Sequence, residues 1–92
     1  MTVLSPTEIS LHLGTLPAWH TDSGELVRTF QFEDFRAAMA FVNGVAELAE
    51  AAGHHPDIDI RYNRVRLALV SHDAGGLTAK DFGLATSVDK LL

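Results

Sequence analysis

The sequence contains no cysteine, which excludes both a disulfide framework and a thiolate metal site. Positive charge is sparse: seven lysines and arginines stand against twelve aspartates and glutamates, the net charge is −5, and no basic run occurs. A protein that binds DNA or RNA directly displaces phosphate counterions with a stripe of such residues, so nucleic acid is not an expected partner. No stretch approaches the roughly 18 apolar residues of a membrane span, and Met1-Thr2-Val3-Leu4-Ser5-Pro6 lacks a basic segment followed by an apolar core. A membrane is therefore not an expected partner either, and the expected location is the cytoplasm. Solenoid-type repeats are absent too.

What remains is an ordinary globular composition, 47% hydrophobic and 21% charged. The 92 residues make one domain, 1–92, since chains divide only well beyond roughly 200 residues. A domain of this size buries only about 60–65% of its unfolded surface. Self-association as a homodimer or homotetramer is expected, because hairpin edges and a second sheet face carrying Ala68 and Val70 among charges are incompletely covered.

Ser5 with Glu8 three residues on is a capping box, and Pro6 suits a first helical position. Ile9, Leu13 and Leu16 then line one face, Gly14 weakens the last turn and Pro17 stops the helix. Ala18 to Thr21 and Glu25 to Phe32 read as strands joined by Asp22-Ser23-Gly24, an antiparallel hairpin with Leu26, Phe30 and Phe32 on one face. From Asp34 the period becomes helical through Phe35, Ala38, Met39, Val42, Val45, Ala46 and Ala49, with Gly53 as the left-handed residue past the end.

Asp57 to Tyr62 and Val65 to His72 alternate cleanly. If Asn63-Arg64 is the turn, Tyr62 faces Val65, Ile60 faces Leu67 and Ile58 faces Leu69, which puts the large apolar residues on one side. Extending that pairing outward through Pro56 sets His55 opposite His72, and directly opposed residues have β-carbons roughly 5 Å apart. Asp73 to Leu77 is a loop, and Thr78 with Asp81 is a second capping box opening a last helix with Phe82, Ala85, Val88 and Leu92 toward the core. The order α-β-β-α-β-β-α predicts an α+β fold, a four-stranded antiparallel sheet with helices packed on one face.

One stretch gathers the chemistry: Glu50, His54-His55-Pro56, Tyr62, His72 and Asp81. Histidine alone has an unperturbed pKa, roughly 6.5, that lets it give or take a proton near neutral pH, so the cluster is a candidate acid/base site. Three histidines and a carboxylate could also supply four metal ligands, but adjacent side chains at His54 and His55 diverge, which makes shared tetrahedral coordination awkward. Asp81 has a second reading as a helix cap, Glu50 as a solvated helical residue, and Trp19 and Tyr62 as core or interface aromatics.

The spacing of these residues resembles the pterin-4a-carbinolamine dehydratase family. An acid and three residues precede His-His-Pro, then five residues lead to an aromatic, nine to the last histidine and eight to the aspartate. Trp19, Phe32-Glu33-Asp34-Phe35, Tyr62-Asn63-Arg64-Val65 and Gly75-Gly76-Leu77-Thr78 extend the likeness from about Leu11 to Leu91. Ser71 departs from the threonine that often precedes the last histidine, and Ile58 from the bulky aromatic of some members.

The resemblance implies dehydration of 4a-hydroxytetrahydropterin to quinonoid dihydropterin, the step that renews the pterin of aromatic amino-acid hydroxylases. It implies that His54 and His72 transfer protons, that His55 binds and orients the pterin, and that Asp81 orients His72. Glu50, His55, Trp19 and Pro56 are the implied substrate-contacting residues. The pterin is the substrate, and no metal or organic cofactor is implied. Because some members of the family act as dimerisation or assembly cofactors, a non-catalytic binding module on the same fold is the alternative.

Overall fold

Ser5 opens the first helix of the computed structural model, which describes residues 2–92. In this helix, α1 (Pro6–Leu13), the Ser5 hydroxyl accepts the Glu8 amide hydrogen at 3.2 Å while the Glu8 carboxylate accepts that of Ser5 at 2.8 Å. That reciprocal bond holds the Glu8 carboxyl below the usual carboxylate range. The helix ends at Leu13 rather than at Pro17: Leu16 lies in the turns that follow and is buried there. Ile9 and Leu13 of α1 pack half-buried against the core and His12 stacks on Phe82 with ring centres 4.8 Å apart, but no residue of α1 is fully buried, so this helix sits at the periphery.

The chain continues through β1 (His20–Asp22), β2 (Glu25–Gln31), α2 (Phe35–Ala52), β3 (Asp57–Arg61), β4 (Arg64–Leu69) and α3 (Ala79–Asp89). The strands form one antiparallel sheet in the order β1-β2-β4-β3, which puts the two longest neighbours, β2 and β4, in the middle. β1 starts two residues later than the pattern predicts, because the Trp19 amide is engaged with the Leu16 carbonyl in a turn. Ser23 and Gly24 alone form its connection to β2, with φ of 53° and 81°, the left-handed pair that matches the twist of a tight hairpin.

The β3–β4 hairpin is shifted by two residues from the expected register. Ile60 faces Val65 and Ile58 faces Leu67, and the turn is Tyr62-Asn63. A shift of two keeps every side chain on its face, whereas a shift of one would turn the apolar set to solvent. The cause lies on a neighbouring strand end. Phe32 donates its amide hydrogen to the Asn63 carbonyl at 2.9 Å, and the Asn63 side-chain amide donates to the Phe32 carbonyl at 2.8 Å. Those two bonds fix Asn63 in the turn and leave Tyr62 exposed, at φ 52°.

Leu26 and Phe30 of β2 with Val65, Leu67 and Leu69 of β4 form the sheet side of the core, and the helices cover that face. From α2 the buried stripe is Ala38, Phe41, Val45 and Ala49, so Phe35 and Ala46 are exposed, whereas Phe41 packs on Phe30 and Phe32 with ring centres 4.6 and 4.9 Å away. From α3 it is Phe82, Leu84, Ala85 and Val88, while Leu92 lies past the helix and is exposed. On the opposite face Val27 and Ala68 form a buried cross-strand pair, so Ala68 is better covered than its charged neighbours suggest.

Candidate functional site

The end of α2 sets the first half of the site. Gly53 takes the left-handed conformation at φ 62°, its amide bonds the Glu50 carbonyl, and the His54 amide returns to the Ala49 carbonyl at 3.1 Å. This pattern satisfies the last carbonyls of the helix and fixes the backbone of His54 two residues beyond it. His55 precedes Pro56 and is therefore biased to extended backbone, which leads the chain into β3.

The second half follows β4. Ser71 bonds back to Gly76 across an isolated antiparallel bridge, and the Ala74 and Gly75 amides both reach the Ser71 carbonyl. His72 and Asp73 therefore stand on a tight loop, with Gly75 at φ 80° closing it. The third contributor is the start of α3, where Thr78 caps the helix and Asp81 completes the capping box.

These three segments enclose an open cavity of about 240 Å³ lined by His54, His55, His72, Ser71, Asp73, Val70, Gly53 and Lys80. All three histidines of the motif thus share one cavity. The observed ladder, continued outward, would set His55 against Val70 and stops at Asp57, so helix end and loop, not cross-strand pairing, bring His55 and His72 together.

Asp81 is fully buried, and its partner is His54 rather than His72: the His54 Nε2 lies 2.5 Å from Oδ1. Its Oδ2 accepts the Thr78 amide hydrogen and the Ser71 hydroxyl hydrogen, each at 2.9 Å, and Ser71 and Thr78 hydroxyls lie 2.8 Å apart. Both readings of Asp81, cap and histidine partner, hold at once. Burying a carboxylate is costly unless its oxygens meet donors, and here both do. Among the described residues no buried side-chain nitrogen or oxygen lacks a partner.

Glu50 pairs with His55 on the exposed rim of the cavity. Pro56 is half-buried at the start of β3 and does not line the cavity. Trp19 is elsewhere: it is buried in the core, edge-on to Phe30, and donates its indole N–H to Asp89 at 2.9 Å. Ser71 and Thr78 are the polar residues that sequence reasoning left outside the site. Their signal was the capping box itself, since a carboxylate shared by a cap and a histidine needs further donors.

The profile of the family described as Pterin 4 alpha carbinolamine dehydratase matches residues 2–91. Similar chains include two provisionally named pterin-4-alpha-carbinolamine dehydratases, one from Acidobacterium capsulatum and one from Chloroflexus aurantiacus. The first is 64% identical over all of both chains, and the second 62% identical over 97% of this chain and 96% of the relative. A crystal structure of a transcriptional coactivator/pterin dehydratase from Brucella melitensis superposes with a TM-score of 0.94 at 30% identity, covering 98% of each chain. A pterin dehydratase-like protein identified as a RuBisCO assembly factor in the alpha-carboxysome superposes with a TM-score of 0.65 at 26% identity, over 79% of this chain and 84% of that one.

Proposed function

The chain belongs to the pterin-4-alpha-carbinolamine dehydratase family, and from that premise we propose that it removes water from 4a-hydroxytetrahydropterin to give quinonoid dihydropterin. In this reading it works in the cytoplasm and renews the pterin of aromatic amino-acid hydroxylases. The observation that carries the proposal is the single cavity shared by His54, His55 and His72, with His54 anchored on a buried carboxylate.

The reaction breaks the bond from C4a to the hydroxyl oxygen. An acid protonates the departing hydroxyl, which leaves as water, while a base takes the hydrogen from the adjacent ring nitrogen, whose electron pair forms the new double bond. Two imidazoles on one cavity suit this exchange. His54 and His72 fill those roles, and which acts as acid follows from the face of the ring that carries the hydroxyl. His55, held by Glu50, binds and orients the pterin, and the ring is the substrate, so no cofactor is assigned. Active protein self-associates as a dimer or tetramer.

The test is the rate of dehydration followed by absorbance of the quinonoid product. A positioned acid or base contributes about a hundredfold or more, so His54→Ala and His72→Ala should each lose at least that factor while retaining the native circular dichroism. Wild-type protein that gives no acceleration would sink the proposal. The structural likeness to a RuBisCO assembly factor favours a second reading, a non-catalytic binding module. That reading expects no change in dehydration rate with any histidine variant.

A further inference from the structure

We infer that Ser71 is a positioning residue: acting through Asp81, it holds His54 as the Nε2–H tautomer, so that His54 exchanges its working proton at Nδ1 alone. The catalytic half of this inference rests on the dehydratase reading, but the tautomer is measurable without turnover.

The direction of every hydrogen bond around Asp81 follows from counting protons. The Thr78 amide can only donate, and it points at Oδ2. Ser71 has one hydroxyl hydrogen, and it is directed at the same oxygen. The 2.8 Å contact between the two hydroxyls must then run from Thr78 to Ser71. The Lys80 amide, which donates to the Thr78 oxygen at 3.3 Å, is consistent with that direction. The chain of protons therefore runs Thr78 to Ser71 to Asp81 and ends on an acceptor.

With Oδ2 occupied by two donors, Oδ1 is left to receive the N–H of His54 at 2.5 Å. The helix-end amide bond of His54 to Ala49 fixes the backbone from which the ring reaches Asp81. Nδ1 has no hydrogen-bond partner among the described residues, and no buried side-chain atom among them is left unpartnered, so Nδ1 is on the accessible side of a ring that lines the cavity. Nδ1 is the nitrogen that a substrate can reach. Ser71 matters because it is the one member of the chain that both donates to Asp81 and accepts from Thr78.

The experiment combines ¹⁵N and ¹H NMR of histidine-labelled protein with steady-state kinetics on wild type, Ser71→Ala and Ser71→Thr. In the neutral wild type, His54 should carry a slowly exchanging Nε2 proton and an unprotonated Nδ1. Ser71→Ala should show that proton exchanging faster. Its kcat should fall about ten- to a hundredfold, the scale of one hydrogen bond to a charged group, with KM nearly unchanged. Ser71→Thr keeps the hydroxyl and should restore both readouts. A wild-type His54 protonated at Nδ1 overturns the inference without any variant, as does a Ser71→Ala protein with wild-type exchange and kcat. If wild type shows the Nε2 proton but no dehydration, the function proposal fails while the tautomer assignment is supported.

Discussion

Two aspartates of α3 illustrate how a single buried or half-buried carboxylate organises its neighbours. Asp81 meets donors on both oxygens, and Asp89 receives Trp19 at 2.9 Å and Arg28 at 2.8 Å on one oxygen. Arg28 also lies over the Phe30 ring at 4.4 Å, so Trp19, Arg28 and Phe30 form one unit linking β2 to the end of α3. This makes Trp19 a packing residue. Trp19→Phe keeps most of the ring contact and leaves Asp89 its arginine, so urea denaturation should show a loss of about 1–2 kcal/mol with kcat/KM for the pterin unaltered. A large rise in KM would return Trp19 to the substrate. At this scale the histidine motif was legible because chemistry restricts it to few residue types. The partner of Asp81 was not, since His54 and His72 stand on segments whose relative placement depends on how α3 packs.

Capping signals act at the next scale, and they were the most legible elements because they depend on local backbone alone. Both capping boxes and the left-handed Gly53 occur where the sequence places them. Gly53 meets no atom within 4 Å of an added β-carbon, so Gly53→Ala costs only its conformation, about 1–2 kcal/mol by thermal unfolding. Because His54 follows directly, kcat should fall further than stability predicts. For α1, the Glu8 carboxyl is held low by the Ser5 bonds, so folding is favoured above the ordinary glutamate pKa of about 4.3. That contribution fades as pH drops through the folded value. Protection of the α1 amides against hydrogen exchange, relative to the free-chain rate at each pH, should fall on acidification, and Glu8→Gln should flatten the dependence. The hairpin turn was not legible: alternation fixes which face a residue takes but is blind to a shift of two, and Asn63 is claimed by Phe32, distant in sequence.

The whole molecule presents more than its histidine-lined cavity. Both outer strands, β1 and β3, have one unpaired edge, and Phe35, Ile58, Tyr62, Leu91 and Leu92 are exposed. Phe35, Leu91 and Leu92 lie at the ends of α2 and α3, Ile58 and Tyr62 belong to the β3 hairpin, and Val3 and Leu11 add exposed apolar groups before and on α1. Unpaired edges of this kind are templates for association unless covered. One self-complementary contact through such groups builds a dimer, and a second contact elsewhere on the surface builds a tetramer from dimers. Sedimentation equilibrium should therefore give two or four times the 10.0 kDa chain mass. The larger value should fall to the smaller when Phe35→Ser or Ile58→Lys removes one contact, and a mass of one chain at all concentrations would show that neither contact forms. The histidine-lined cavity opens between the end of α2 and the loop after β4, so partial loss of assembly should leave His54 on Asp81 and, on the dehydratase reading, dehydration measurable in the smaller species.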